Sequence, residues 1–394
     1  GVSSAASDVY KRQVRRSVLD QVGLLDPACD GAQDHDLTLR VSECARHIHH
    51  VPKILYHWRV SSGSTAGGIE GSKPYATLAG IRAVENHLSR LGLSATVDQA
   101  RRPATYRVKY RVPEDEPLVS IVIPNKDSLA VLRQCVDSIL DKSTYDAYEI
   151  VIVENNSTEV ETFAYYEEVA KDSRVRCVFF DGPFNFSKII NQGVEAAKGE
   201  YCILLNNDTE VITPDWIETM LGLCARQDVG AVGVKLYYPD DTIQHAGIGI
   251  APSVAACLLQ ALPRSDAGYF ALNDAQQDLS AVTAACMMTK RSAFERVGGM
   301  TEDLAVAFND LDYCLKLRER DYLVVYTPEV ELYHYESLSR GSEDTVEKVT
   351  RFLREVAYMN DRWAEYYAAG DPYLNINLSR REPGSYYFRL PDKE

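Results

Sequence analysis

From Leu118 onward, short apolar runs alternate with segments of helical periodicity. Val119–Ile123, Glu149–Val153, Val175–Phe180 and Tyr201–Leu205 have strand length and are rich in β-branched residues. Between the first two, Leu129, Leu132, Val136 and Ile139 recur at helical spacing, with Ser128 in the N-cap position. Ser187–Lys198 reads as a second helix, stopped by Gly199. Strands that are apolar at consecutive positions need cover on both faces, and helical crossovers between parallel strands supply it. The expected class is therefore α/β: a mixed, mostly parallel sheet with helices on both faces. A helix over Trp216–Arg226 and strands around Ala231–Tyr238, Ile243–Ile250 and Ala281–Met288 would extend it.

Three of these strands end in polar residues. The first leads into Pro124-Asn125-Lys126-Asp127, the second into Glu154-Asn155-Asn156-Ser157, and the fourth into Asn206-Asn207-Asp208. Ligands of open α/β sheets bind off the carboxyl ends of strands, so three polar ends at one edge read as a binding crevice. Carboxylate and amide oxygens there suit a hard divalent cation and, through it, phosphate oxygens. The plainer reading of Asn206–Asp208 alone is an Asn/Asp turn after a strand. The chain has neither GxGxxG nor GxxxxGK[ST], so neither a dinucleotide fingerprint nor a P-loop is expected.

Composition removes several function classes. The chain has 394 residues, 45% apolar and 25% charged, as in an ordinary globular protein of two or three domains. No apolar run approaches the roughly 20 residues that span a bilayer, and no signal peptide is visible. A net charge of −15 argues against nucleic acid as a partner. The nine cysteines form no CxxC pair, which fits a reducing compartment and a cytoplasmic location.

A long-period repeat sets the domain layout. Arg16–Gly23 (RSVLDQVG) matches Arg291–Gly298 (RSAFERVG), Gln33–Leu37 matches Asn309–Tyr313, and Leu55-Tyr56-His57 matches Leu332-Tyr333-His334. The offset drifts only from 275 (Arg16 to Arg291) through 276 (Asp34 to Asp310) to 277 (His57 to His334). Such a period means duplicated domains. Residues 1–13 read as a non-native leader resembling translated adaptor sequence. Residues 14–60 read as the end of an upstream copy, and 61–117 as a linker with a helix, a strand and a Gly/Ser-rich stretch. Residues 118–340 form the main domain, and 341–394 a C-terminal helix and tail. In that helix Val346, Val349, Leu353, Val356, Trp363 and Tyr367 share a stripe, expected to pack on the core. Asp310 and Asp312, two residues apart on a helix, point to different faces; one can meet a cleft while the other caps or pairs.

Together these segments resemble a family-2 glycosyltransferase of the GT-A, Rossmann-like fold, of the polysaccharide or O-antigen type. The resemblance rests on VSIVIPNKD (119–127), EIVIVENNS (149–157), NFSKIINQGVEAAKGEY (185–201), LLNNDTEV (204–211), RSAFERVGG (291–299), NDLDYCLKLR (309–318) and LYHYES (332–337). It implies that Pro124, Asn125, Asp127, Glu154 and Asn155 line a nucleotide pocket. Lys188 and Asn191 would face the nucleotide-sugar, and Asn206-Asn207-Asp208 would stand where the family carries DxD. Asp208, Asn206 and His334 would then hold Mg²⁺ or Mn²⁺, with Asn207 beside the donor and Asp310 as catalytic base. Two departures stand out: Asn206 replaces the first carboxylate of DxD, and Glu154-Asn155 replaces an Asp pair.

The implied activity is inverting transfer of a hexosyl or deoxyhexosyl group. Its donor would be a nucleotide-diphosphate sugar and its acceptor a hydroxyl of a glycan or lipid-linked glycan, with peripheral association at the inner membrane. The alternative is a catalytically inactive partner in a polysaccharide-assembly complex.

Overall fold

The computed structural model describes residues 12–51, 74–102, 105–251, 254–336, 345–374, 378–379 and 387–388. The strand expected at 54–58, the Gly/Ser-rich stretch and His57 lie outside the described residues. In chain order the elements are α1 (Arg16–Val22), α2 (Gln33–Cys44), α3 (Pro74–Arg90), β1 (Ala95–Gln99), β2 (Tyr106–Tyr110), β3 (Val119–Asn125), α4 (Leu129–Lys142) and β4 (Tyr148–Glu154). Next come α5 (Val160–Val169), β5 (Val175–Phe179), α6 (Phe186–Ala196), β6 (Tyr201–Leu205), β7 (Thr209–Val211), α7 (Trp216–Cys224), β8 (Val229–Tyr237), β9 (Ile243–His245), β10 (Ile248–Ala251) and β11 (Val254–Cys257). The chain closes with β12 (Gln277–Leu279), β13 (Cys286–Lys290), α8 (Arg291–Arg296), α9 (Asn309–Arg318), β14 (Leu323–His334), α10 (Val346–Arg362), α11 (Ala364–Ala369), β15 (Leu378–Ser379) and β16 (Tyr387–Phe388).

The main sheet runs in the order β12-β14-β8-β13-β6-β3-β4-β5, with β7 added to β14 and β9 to β8. Pairs β6/β3, β3/β4, β4/β5 and β8/β14 are parallel, whereas β13 lies antiparallel between β6 and β8. Alternate residues of each central strand enter opposite cores. Ile121, Ile150 and Ile203 pack with Leu132, Val136, Trp216 and Met220 of α4 and α7. Val122, Val151 and Leu204 pack with Ile189 and Ile190 of α6 and Leu311 and Leu315 of α9. This two-sided burial is why the strands read as unbroken apolar runs. Helix α6 lies so close to the sheet that a Cβ at Gly193 would sit 2.3 Å from a Val122 methyl.

Several local expectations change. Ser128 holds the N-cap position of α4 but is left-handed (φ 56°) and makes no side-chain cap bond. The strand expected over 243–250 breaks into β9 and β10, and that over 281–288 begins only at Cys286. The α10 stripe fails in its first half: Val346, Val349 and Leu353 are 78%, 45% and 59% exposed. The buried position there belongs to the Glu355 carboxylate, which accepts from the N–H groups of Val306 (2.9 Å) and Ala307 (3.2 Å), while Met359 and Trp363 bury the later turns.

Candidate active site at the strand ends

The ends of β3, β4 and β6 are joined by one buried polar network. Asn125 Oδ1 accepts from Asn207 Nδ2 at 2.6 Å, and Asn125 Nδ2 donates to the Tyr166 hydroxyl at 2.7 Å. That hydroxyl donates to Glu154, whose carboxylate also accepts from the Ser157 N–H and hydroxyl. Burial, then the neighbouring Glu154, pushes the Tyr166 hydroxyl far above its ordinary pKa, so it stays a donor. Asn155 Nδ2 donates to the carbonyls of Phe180 (3.3 Å) and Gly182 (2.9 Å), anchoring the loop that enters α6. Asp127, left-handed at φ 48°, accepts from the N–H groups of Thr158 (2.6 Å) and Glu159 (2.9 Å). Desolvation would raise its pKa, but those two donors together hold its carboxyl below the usual value.

Pro124, Asn125, Asp127, Glu154, Asn155 and Asn207 therefore meet at one rim, as the register of β3 against β4 requires. The two α6 residues make other contacts. Asn191 exchanges two hydrogen bonds with the main chain of Met300 (3.0 and 2.8 Å), and Lys188 lies 3.7 Å from Glu302 on the surface.

A second group forms just past the end of β6, where β7 pairs with β14. Pairing of His334 with Thr209, and the Tyr335 N–H to Asp208 carbonyl bond (2.8 Å), set Asp208 beside His334. Asp208 Oδ1 lies 3.1 Å from His334 Nε2, yet this buried oxygen accepts no hydrogen bond. The other ring nitrogen explains why. His334 Nδ1 is 2.6 Å from Gln244 Oε1, an acceptor only, so Nδ1 carries the proton. Gln244 is fixed in that orientation because its Nε2 donates to Glu336 Oε2 (3.1 Å) and the His334 carbonyl (3.4 Å). With Nδ1 committed to Gln244, Nε2 is the ring nitrogen left to face the Asp208 carboxylate.

Asn206 adjoins the same point, its Nδ2 3.2 Å from Nε2, and a half-turn of the amide brings Oδ1 there instead. A buried carboxylate oxygen without a donor, an imidazole lone pair and an amide oxygen form a mixed O/N set that fits Mn²⁺ or Mg²⁺.

Asp310 approaches along a third route. It occupies the first turn of α9, where its Oδ1 accepts from the Leu311 N–H at 2.8 Å and its Oδ2 from the Ala284 N–H at 3.3 Å. The next residue, Ala285, accepts from the Asn206 N–H at 3.0 Å, which ties Asp310 to the end of β6. Desolvation raises the Asp310 pKa, against the opposing donors of Leu311, Thr283 and Ala284. Asp312 points the other way and is fully buried, accepting from Thr301 Oγ1 (2.6 Å) and Trp363 Nε1 (2.9 Å). The two carboxylates thus divide as their spacing demands, one toward the strand ends and one into the joint with α10 and its C-terminal turn.

Sequence reasoning missed Gln244, His245, Tyr166 and Glu355. His245 Nδ1 donates to the Val234 carbonyl (2.9 Å) and its Nε2 accepts the Thr283 N–H (3.1 Å), so it shapes the loop that holds Asp310. Burial, chiefly, lowers its pKa to about 4. The available signal was Gln244-His245 inside an otherwise apolar strand, since buried polar groups need partners.

Residues 120–298 match the sequence model described as "Glycosyl transferase family 2". An uncharacterized protein of Sinorhizobium fredii, y4gI, is 46% identical over 369 residues, covering 92% of this chain and 40% of the relative. The O-antigen biosynthesis protein RfbC of Myxococcus xanthus is 39% identical over 368 residues, covering 93% of this chain and 28% of the relative. The chain thus spans less than half the length of either. A solved structure of GalNAc-T7 with UDP, GalNAc and Mn²⁺ superposes with a TM-score of 0.53 at 15% identity, over 70% of this chain and 53% of that one, which is a likeness of fold. The domain built on this sheet belongs to glycosyl transferase family 2 and has the GT-A fold.

Proposed function

We propose that this domain catalyses inverting, metal-dependent transfer of a sugar from a nucleotide-diphosphate donor to a hydroxyl of a glycan or lipid-linked acceptor, in cell-surface polysaccharide synthesis. The carrying observation is the convergence on one buried point of the Asp208 carboxylate, 3.1 Å from His334 Nε2, and the Asn206 amide, 3.2 Å from the same nitrogen, with the far ring nitrogen held by Gln244. An imidazole nitrogen and a carboxylate oxygen facing each other in a buried site need a proton or a cation between them, and the amide of Asn206 at the same point adds a third ligand for the cation. Similarity to an O-antigen biosynthesis protein of Myxococcus supports the polysaccharide context, and the UDP and Mn²⁺ bound by GalNAc-T7 support the donor and metal classes.

Asp208, His334 and the turned amide of Asn206 would hold the cation, which supplies positive charge against the leaving diphosphate. The rim of Pro124, Asn125, Asp127, Glu154, Asn155 and Asn207 seats the nucleotide, and the exposed Lys188 borders the donor sugar, whereas Asn191, its amide bonded to Met300, positions the segment after α8. Asp310 takes the proton of the acceptor hydroxyl as that oxygen bonds the anomeric carbon opposite the diphosphate. The anomeric C–O bond breaks, and its electron pair leaves with the diphosphate. A carboxyl whose proton affinity is raised is a stronger base once ionised. Among the described residues no helix is long and apolar enough to cross a membrane.

One observation favours a second reading, an inactive partner of an assembly complex: Asn206 lacks the negative charge of a DxD carboxylate. Calorimetry with UDP-, GDP- and dTDP-sugars, with and without Mn²⁺, followed by turnover assays, separates the two. Metal-dependent binding and turnover support transfer. Absence of both across the screen, with Mn²⁺ unbound, overturns it.

A further inference from the structure

The N-terminal part of the chain repeats the local structure of the main domain but not its burial. Helices α1 and α8 are each followed within two residues by a glycine of positive φ, Gly23 (83°) and Gly298 (79°). Asp34 Oδ1 accepts the N–H of the following residue at 2.9 Å, as Asp310 Oδ1 does at 2.8 Å. Asp36 and Asp312 are both buried and both face a cation four residues on, Arg40 at 2.6 Å and Lys316 at 3.5 Å. Yet Leu25 is 52% exposed where its counterpart Met300 is 1% exposed, and Ile48 is 79% exposed where Val324 is fully buried.

The covers of the second copy identify what the first lacks. Met300 is held by Asn191 of α6, and Val324 is paired with Ala231 of β8. Both covers come from the strand-bearing segment 118–290, for which residues 12–51 contain no counterpart. Residues 47–51 align with Leu323–Thr327 of β14, yet they form no strand, whereas β14 has β8 along its length. A strand needs a neighbour to satisfy its ladder. What does remain is anchored firmly. Glu43 of α2 bonds His87 (2.6 Å) and Arg90 (2.7 Å) of α3. The β1–β2 hairpin fastens to the main domain through Lys109–Asp215 (2.5 Å), Gln276 to the Val108 carbonyl (3.0 Å), and a Tyr110 carbonyl so close to α7 that a Cβ at Gly222 would meet it at 2.4 Å.

We infer that Leu25, Ile48, Val51 and the backbone of residues 47–51 are the docking surface for the strand-bearing half of a second GT-A domain encoded upstream. That half would add residues 47–51 to its own sheet and make Asp34 the counterpart of Asp310 in a second transfer site, clamped to the first through α3 and the β1–β2 hairpin. The docking stands on the repeat and the burial contrast, whereas the second-site clause rests on the transfer reading above.

Hydrogen exchange of residues 44–51 in this chain and in the longest product of its gene tests the docking. Slowing by at least roughly tenfold in the longer product, abolished by Ile48→Asp, is expected. Equal exchange in both proteins, or a gene with no strand-rich segment upstream, overturns the inference. In the longer product, Asp34→Asn and Asp310→Asn should each delete a different glycosidic linkage from the product, with exchange profiles unchanged. Loss of one linkage by Asp310→Asn and of none by Asp34→Asn overturns the second site alone. Full transfer by Asp310→Asn instead refutes the assignment of the first site and leaves the exchange result to decide the docking.

Discussion

Replacing Gln244 with leucine removes the acceptor of the His334 Nδ1 proton while keeping a side chain of similar volume. In the wild type the 2.6 Å bond to Gln244 Oε1 keeps that proton on Nδ1, and Gln244 is itself only 5% exposed. Without it, the imidazole gains by moving its proton to Nε2, where Asp208 Oδ1 waits as an unused acceptor at 3.1 Å. Three hydrogen bonds of Gln244 are lost, to His334 Nδ1, the His334 carbonyl and Glu336, and one is gained, so folding stability should fall by about 1–3 kcal/mol. Metal affinity should not stay constant, because the new Nε2–H occupies both the lone pair and the carboxylate that would bind the cation. Loss of an outer partner of this kind typically costs about 10- to 100-fold in affinity, roughly 1.4–2.8 kcal/mol. Calorimetric or spin-resonance titration with Mn²⁺ reads the affinity, and nitrogen-15 spectra of the metal-free imidazole read the tautomer. A variant that binds Mn²⁺ as tightly as wild type, with the proton still on Nδ1, would refute the reasoning.

Four other outcomes follow from the same geometry. Asp310→Asn should reduce transfer by about 10²–10⁴-fold while calorimetric donor affinity holds, and a smaller loss removes Asp310 from the role of base. Because burial raises the Asp310 pKa, its ionised fraction grows as pH rises through a value above the ordinary one near 3.8, so the acid limb of kcat should lie above that value in wild type; a limb at or below it contradicts the assignment. His245 is held neutral, with a pKa lowered from 6.5 to about 4. The unfolded chain therefore binds this proton first as pH falls, and stability present above pH 6.5 is lost on the way down to about pH 4, by on the order of 3 kcal/mol. Urea unfolding at pH 7 and pH 4.5 should show that loss in wild type and less of it in His245→Gln. Glu355→Ala frees the N–H groups of Val306 and Ala307 ahead of α9, so kcat should fall while Mn²⁺ affinity stays unchanged; equal kcat would leave Glu355 a purely structural residue.

The legible parts of the molecule were those whose signal is local. Two-sided burial makes β3, β4 and β6 consecutive apolar runs, and their polar ends follow immediately in sequence, so the rim from Asn125 to Asp208 could be located from the chain alone. Asp310 and Asp312 could be assigned to different directions from their spacing. Which of them turned toward the strand ends could not, because the answer lies with Thr301 and with Trp363, 51 residues beyond Asp312. Gln244 stood out only as a polar residue in an apolar strand; its role could not be read for the same reason, its partner being 90 residues away. The α10 stripe misled because apolar periodicity says which residues share a face, not whether the fold covers it. A buried carboxylate at Glu355, set by two loop N–H groups, decided which face turned inward.

The chemistry depends further on how one three-residue strand is seated. In β9, His245 pairs with Leu236 and Ile243 with Tyr237, so Gln244 is the extra residue of a bulge against β8. A bulge re-aims side chains that a regular ladder would send strictly to alternate faces. Here it lets adjacent residues serve separate tasks: Gln244 sets the proton on His334, and His245 holds the Thr283 N–H beside Asp310. A shift of β9 by one residue would put Gln244 where the Val234 carbonyl and Thr283 N–H need an imidazole, and would strip His334 of its acceptor. Both the metal side and the base side would then fail together. Deleting the bulge, by removing Thr242 or Gln244, should therefore abolish Mn²⁺ binding and shift the pH dependence of any residual turnover in the same protein, whereas substitutions confined to either side change only one of the two.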